Sequence, residues 1–361
     1  METYYANPYP LSEDYYLVAW SDRKLPPHAG SSQIKDERNP PNATGIYLYD
    51  RFGNLELLYR DPEISSMNPI AVRARRSPPI QPDNVEWEGP QQGCFLVQDV
   101  YQGLEGVERG TVTHLRIVGV PPKVQPRMNS PKLSVSKEDP GKFVLGTAPV
   151  EKDGSAYFRV PSGIPVFFQA LDSEGLAIQT MRSLTYVQPN QTLSCVGCHE
   201  SREQTPLLGV RPMAVLREPS KITPGPAGSW PLRFDRLVQP VLDRLCIQCH
   251  RPSGDNDKAA AFDLTAEGAY ENLMSYADKD LEKLAFEKDR SEIGQCPARM
   301  SKLLAMLKRE GGHEHVELDD DSFNRLVTWM DTYAQRQGSF SADQEQQLRR
   351  LRERLSPILT E

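Results

Sequence analysis

Two hydrophobic rhythms divide the chain. Up to about residue 190 the apolar residues come in short runs bounded by glycine, proline, asparagine and aspartate, the pattern of strands and turns. Tyr15–Trp20 is β-prone, and Ile46–Tyr49 and Leu55–Tyr59 flank Asp50-Arg51-Phe52-Gly53-Asn54, a hairpin signal with glycine in the turn. Cys94–Val97 and Thr111–Val118 predict further strands. From Lys142 to Gln188 the apolar runs beginning at Phe143, Ser155 and Val166 are separated by Lys152-Asp153-Gly154 and Pro161-Ser162-Gly163. A strand every roughly 8–12 residues predicts a small β-sandwich. Ser77–Pro90 reads as a proline-rich connector and Pro121–Asp139 as a polar loop.

From Leu232 onward the rhythm is helical. Phe234, Leu237, Val238, Val241, Leu242 and Leu245 recur at three and four residues, with Pro240 starting or kinking a turn. Ser301–Lys308 predicts another helix. Asp319, Asp320 and Asp321 supply a cap and first-turn acids ahead of Phe323, Leu326, Val327, Met330 and Tyr333. Ser341 with Gln344 forms a capping-box pattern before Leu348, Leu351 and Leu355. The expected architecture is an α+β multidomain protein. Residues 1–80 form a β-rich segment whose short strands look like the tail of a larger β structure. Residues 81–228 form a β-rich middle domain, and residues 229–361 a mostly α-helical domain.

Composition narrows the class. At 361 residues the chain can bury ordinary cores. No apolar stretch approaches the roughly 18 residues of a membrane helix, so no membrane span is expected. A net charge of −7 argues against nucleic acid as partner and weakly favours basic partners through steering. Six cysteines are too few for a disulfide scaffold at this length, and 31 prolines fit a loop-rich chain.

The chemistry lies in a motif that occurs twice: Cys195-Val196-Gly197-Cys198-His199 and Cys246-Ile247-Gln248-Cys249-His250. Cys-x-x-Cys-His is the attachment signature of c-type haem. The two thiols add to the vinyl groups on one edge of the porphyrin, and the adjacent histidine is carried under the ring as proximal ligand. At this chain's cysteine and histidine frequencies, the chance expectation for one such match is on the order of 10⁻³. A zinc ribbon needs its cysteine pairs about 15–20 residues apart, whereas 47 residues lie between Cys198 and Cys246. A thioredoxin-like dithiol needs a βαβ setting that the pattern lacks. The expected cofactors are therefore two covalently attached haem c groups, with Cys195, Cys198, Cys246 and Cys249 as anchors and His199 and His250 as iron ligands.

The second axial positions are less constrained. Gly312-His313-Glu314-His315-Val316 lies between two predicted helices of the second haem's domain, where a loop crosses the distal face of a compact cytochrome. His313 or His315 is expected to complete that haem. His114 lies in a strand pattern and reads as structural or solvent-facing, and His28 follows Pro26-Pro27 in a surface loop. Met67, Met181 and Met213 read as packing. The first haem is thus expected to be open or weakly ligated, which would suit a small inorganic substrate. Cys94 and Cys296 are either two buried free cysteines or a pair. Arg73, Arg75 and Arg76 form the one dense basic cluster, either a solvated loop or an anion or propionate site.

Asp61-Pro62-Glu63-Ile64, Met67-Asn68-Pro69, Lys142–Gly146, Gly154-Ser155-Ala156, Phe167–Asp172, Met181-Arg182-Ser183 and Ser194–Glu200 together resemble the haem-bearing middle domain of the hydrazine synthase alpha subunit family. The second Cys-x-x-Cys-His, the Gly312-His313-x-x-Val316 loop and Leu326-Val327-Thr328-Trp329 resemble its C-terminal cytochrome c domain. The resemblance covers roughly residues 40–335. It implies that residues 1–60 are the last blade of a truncated β-propeller, and it favours His313 over His315 as distal ligand. It also implies a substrate-accessible middle-domain haem with a tyrosine ligand shortly after the motif. Here Glu200, Ser201, Arg202, Glu203 and Gln204 follow His199 with no tyrosine, a departure from that pattern.

The leading expectation is an exported dihaem c-type cytochrome that moves electrons between redox partner proteins. The rival is a haem-dependent oxidoreductase acting on a small nitrogen or oxygen species at the first haem, and a third class is a non-catalytic interaction module. No catalytic residue is assigned. Residues 1–16 lack a basic region and an apolar run, so no export signal is visible. Bacterial haem attachment occurs outside the cytoplasmic membrane, so the expectation is a periplasmic or otherwise exported protein and a truncated chain.

Overall fold

The computed structural model describes residues 3–23, 25, 40–80, 85–124, 130–136, 139–198, 209, 211–254, 256–286 and 292–360. The chain divides into two compact units, residues 1–82 and 83–361. Sheets occupy the first two-thirds and helices the last third. The described strands close no barrel, and no described helix is long and apolar enough to cross a membrane.

In the first unit, β1 (Tyr4–Pro10), β2 (Tyr15–Ser21), β3 (Gly45–Asp50) and β4 (Leu55–Tyr59) form an antiparallel meander in sequence order. The β3–β4 turn is set by Asp50, whose carboxylate accepts from the Phe52 and Asn54 amides and the Asn54 side chain at 2.8–2.9 Å. Gly53 takes the left-handed position there, at φ 96°. Val18, Ala19 and Tyr47 are buried, while Leu57, Leu58 and Tyr59 on β4 are exposed.

In the second unit, the further strands are β5 (Gln92–Val97), β6 (His114–Gly119), β7 (Phe143–Pro149), β8 (Ala156–Pro161), β9 (Val166–Leu171), β10 (Ala177–Thr180), β11 (Thr192–Cys195) and β12 (Thr223–Pro224). They make a five-stranded sheet in the order β10-β9-β6-β7-β12 and a three-stranded sheet in the order β11-β5-β8. The two sheets share one core. Phe95 and Phe158 from the small sheet meet Phe168 of the large one in edge-to-face contacts at 5.0 and 5.5 Å.

The helices are α1 (Phe234–Leu237), α2 (Gln239–Leu245), α3 (Asp257–Ala261), α4 (Ala269–Phe286), α5 (Pro297–Met300), α6 (Lys302–Leu307), α7 (Asp320–Asp331) and α8 (Ala342–Arg354). The predicted Pro240 break separates α1 from α2, with the proline in the first turn, where its missing N–H costs nothing. Asp319 caps α7 and Ser341 caps α8. Gln344 reaches back to the Phe340 amide at 2.8 Å, one residue beyond the usual capping-box partner. α4 is interrupted at Tyr276–Lys279, where Ala277, Asp278 and Lys279 have φ of 51–61°. Leu237, Val241, Leu303, Leu326 and Trp329 belong to the helical core.

The cores do not divide at residue 228. Leu348 and Leu355 of α8, with Ile358 and Leu359, join the β core, and the Trp230 indole donates to the Leu348 carbonyl at 3.0 Å. Conversely, Leu176 in the β9–β10 hairpin belongs to the helical core. Around it Asp172 pairs with Arg299, and Glu174 pairs with Lys308 at 2.8 Å. The hairpin therefore fixes the sheets to the helices.

Candidate functional site

The second motif begins where α2 ends. The Cys246 amide donates to the Leu242 carbonyl at 2.8 Å, and the Cys249 and His250 amides both donate to the Cys246 carbonyl, at 3.2 and 3.0 Å. This turn brings Cys246 and His250 round one after the other. Cys246 packs on the helical core and Cys249 is exposed. Burial, followed by the neighbouring Cys249 charge, pushes the Cys246 thiol up to about 11.

His250 has a fixed tautomer. Its Nδ1 lies 3.1 Å from both the Ala259 and the Phe262 carbonyl oxygens, so Nδ1 carries the proton and donates. The lone pair is left on Nε2, the arrangement in which a histidine serves as metal ligand. Asn256 makes this possible by capping α3 through the Lys258 and Ala259 amides, which places both carbonyls. The Phe262 ring meets the imidazole edge-on at 5.8 Å.

His313 comes from the loop between α6 and α7. Gly311 and Gly312 have φ of 81° and 66°, and Glu314 and His315 have φ of 50° and 67°. The loop closes as a bridge between His313 and Val316, with the Val316 amide donating to the His313 carbonyl at 2.9 Å. A Cβ at Gly312 would meet the Val316 oxygen at 2.2 Å, so only glycine permits this closure. The result sets the His313 ring 5.9 Å from that of His250, centre to centre, with 32° between planes. Metal–imidazole bonds of roughly 2.0–2.1 Å, plus about 1.2 Å from nitrogen to ring centre, would separate two imidazoles sharing one metal by about 6.4–6.6 Å. The observed ring spacing is close to that, slightly shorter. His315 is exposed.

The first motif continues from β11, which runs parallel to β5 with Cys195 beside Val97. The Gln98 amide donates to the Cys195 carbonyl at 2.9 Å. Gly197 lies against Gln102, where a Cβ would come within 2.4 Å of the Gln102 backbone oxygen. Cys195 and Cys198 are half-buried and line a cavity of about 450 Å³, inside the roughly 300–1,000 Å³ range of small-molecule and cofactor sites. Its apolar floor is Val97, Leu115, Phe168 and Ala170, and a further wall is the continuous run Gln179–Ser183. The dimensions and the placement of both cysteines fit a covalently held ring system. His199 and residues 200–208 lie outside the described residues, as does His28.

Other candidates fall away from these centres. His114 is exposed at the start of β6, its Nδ1 3.1 Å from the Thr113 hydroxyl. Met67 and Met213 are exposed. Cys94 and Cys296 are buried and free. Arg73 donates to the Leu11 carbonyl and Arg75 to the Tyr9 hydroxyl and the Ala71 carbonyl, so both serve the first unit's own loops. Cys195 and Cys198 pack on the β core and Cys246 on the helical core, and among the described residues no three His, Cys, Asp or Glu side chains converge as a metal-ion cage. Missed in the sequence were the Ala259 and Phe262 carbonyls, which carry no side-chain signal. The Gln179–Ser183 wall was also missed, because its only sequence trace was the Met181-Arg182-Ser183 resemblance.

Residues 110–200, which carry the large sheet's central strands, the Gln179–Ser183 wall and the first cysteine pair, match the family model described as hydrazine synthase alpha subunit middle domain. This segment belongs to that family. The chain is also 23% identical over 242 residues to hydrazine synthase subunit alpha of Kuenenia stuttgartiensis, an alignment covering 54% of this chain and 28% of the relative. The solved structure of Kuenenia stuttgartiensis hydrazine synthase superposes on 93% of this chain and 56% of its own, with a TM-score of 0.60 at 18% identity. At that identity the likeness is one of fold. The chain spans little more than half of the solved relative.

Proposed function

We propose that the chain is an exported, periplasmic dihaem c-type protein that carries electrons between redox partner proteins. The observation that carries this reading is the pair of imidazoles at 5.9 Å, His250 with Nδ1 committed to backbone carbonyls and His313 held by its glycine turn. Cys246 and Cys249 would anchor the second haem and Cys195 and Cys198 the first, with His199 the proximal ligand of the first by motif position. A haem at each site would supply a one-electron iron couple whose potential follows axial ligation and burial. The chain's own part is to fix the ligands: the Ala259 and Phe262 carbonyls raise the basicity of His250, and the Phe262 ring packs edge-on against it. Cys249 lies at the surface, so a haem held there would be reachable by redox partners.

A second reading has its own observation. The 450 Å³ cavity at Cys195 and Cys198 carries the polar wall Gln179, Thr180, Arg182 and Ser183, which would suit a small nitrogen or oxygen species at an open first haem. The named activity of the hydrazine synthase relatives makes such a substrate class relevant.

The test is expression of the full chain with the cytochrome c maturation machinery, followed by intact mass and a reduced-haem spectrum. Two covalent haems are expected, each lost when its own cysteine pair is changed to serine. A protein with no covalent haem overturns the proposal. Carbon monoxide binding by the reduced dihaem protein would favour the open-haem reading over the relay.

A further inference from the structure

We infer that the Met181 thioether is the second axial ligand at the first haem motif, which makes that centre a closed, high-potential relay. The inference rests on the dihaem reading and deepens it. Three features of the page converge on this residue. The first is placement: β10 is the edge strand of the large sheet and β11 that of the small sheet, and the cavity is lined from the continuations of both, by Met181 and by Cys195 and Cys198. The second is chemistry. Once Cys195 and Cys198 are consumed as thioether anchors, Met181 is the one soft donor among the cavity-lining residues. Arg182 has no lone pair to offer, and the oxygens of Gln179, Thr180 and Ser183 are poor partners for a c-type haem iron.

The third is how Met181 is held. Its amide donates to the carbonyl of Phe168, itself in the cavity floor, at 2.9 Å. Its side chain packs against both the β core and the Val118–Phe167 cluster, and it stays half-buried on the wall of the cavity.

A methionine–histidine pair raises a haem's potential relative to a histidine–histidine pair. With haem at both motifs, the first centre would stand above the His250–His313 centre. One electron would then pass downhill from the second to the first, oxidising the second and reducing the first, with no proton or bond change required. That would give the relay a direction.

The experiment uses the matured full chain and two substitutions, Met181→Leu, which keeps volume and hydrophobicity, and Met181→His. Counting covalent haems by intact mass comes first: fewer than two refutes the dihaem reading itself, whatever Met181 does. With two haems present, the parent is expected to be fully low-spin, with the far-red ferric band of a thioether ligand, and to ignore carbon monoxide. Met181→Leu should lose that band, turn one haem of the two high-spin and bind one equivalent of carbon monoxide. Met181→His should restore low spin and lower only the higher of two midpoint potentials. A Met181→Leu spectrum identical to the parent's, or a parent already half high-spin, overturns the inference. If Met181→Leu fails to mature, unchanged potentials in Met181→His overturn it equally.

Discussion

The guanidinium of Arg116 in β6 and the carboxylate of Asp331 at the end of α7 lie 3.6 Å apart, with both side chains closed to solvent. Arg116 also donates to Gln169 at 2.9 Å and to the Gly175 carbonyl at 3.0 Å. Asp331 accepts the Ala177 amide at 3.0 Å and the Ala298 amide at 2.9 Å. One carboxylate thus ties β10 to α5, and the Gln169 amide, which donates to Thr180 and to the Asp331 carbonyl, extends the tie to the cavity wall. Asp331→Ala leaves a buried guanidinium unpaired and two amides without acceptors. The expected loss is about 3–5 kcal/mol, read by denaturant unfolding. Asp331→Asn, which keeps an acceptor, should lose less. Parent-like stability in Asp331→Ala would show that this network does not fasten the sheets to the helices.

Leu176 makes the same connection by packing. It is 5% exposed and sits in the helical core at the end of a β-hairpin. Leu176→Ala should cost about 2–4 kcal/mol through lost burial and a residual cavity. Hydrogen exchange should rise at β10 and α5 together, since both meet this hairpin. A rise confined to the hairpin would mean that the two halves hold without it.

On the proposed dihaem reading, the two histidines of the α6–α7 loop make opposite predictions. His313→Ala should turn the second haem high-spin, while His315→Ala, at an exposed position, should leave the reduced spectrum unchanged. Gly312→Ala keeps both histidines but forces a Cβ against the Val316 oxygen at 2.2 Å in a left-handed backbone. It should mimic His313→Ala in the spectrum while the cysteines still carry their haem. An altered spectrum in His315→Ala would reverse the assignment.

Much of this was legible because the signals were local. Asp50 and Gly53 fix a turn, Pro240 a helix break and Asp319 and Ser341 helix starts within a few residues, and the strand and helix rhythms separated the sheets from the helices. Cys-x-x-Cys-His is likewise local. What escaped were pairings set by tertiary approach. Nothing near Arg116 signals that Asp331, more than two hundred residues on, is its counter-charge. Leu176 reads as an ordinary residue beside a turn until the hairpin enters another core. Met181 read as packing because its relation to Cys195 and Cys198 exists only where two sheet edges meet. The return of Leu348 and Leu355 to the β core was hidden similarly, since an amphipathic helix does not name the surface it covers.

Cys296 gives the fold an alkaline limit. Burial first, and then the charge of Asp331, pushes its thiol up to about 12, with Thr180, Arg299 and Arg116 opposing. In the unfolded chain a thiol titrates near about 8.5. Between those values the folded state keeps a proton that the unfolded state releases, so stability is full below about pH 8.5 and falls as pH rises. The limiting slope is about 1.4 kcal/mol per pH unit for one such group. Cys94, also raised by burial, adds in the same direction. Stability measured from pH 7 to 10 should therefore decline above about pH 8.5, and Cys296→Ala should flatten that decline in part while lowering stability at pH 7 through lost packing. Native-state alkylation at pH 8 should spare Cys94 and Cys296 until the chain is unfolded. Rapid labelling of Cys296, or an alkaline slope unchanged in Cys296→Ala, would show that the thiol is not held protonated in the core.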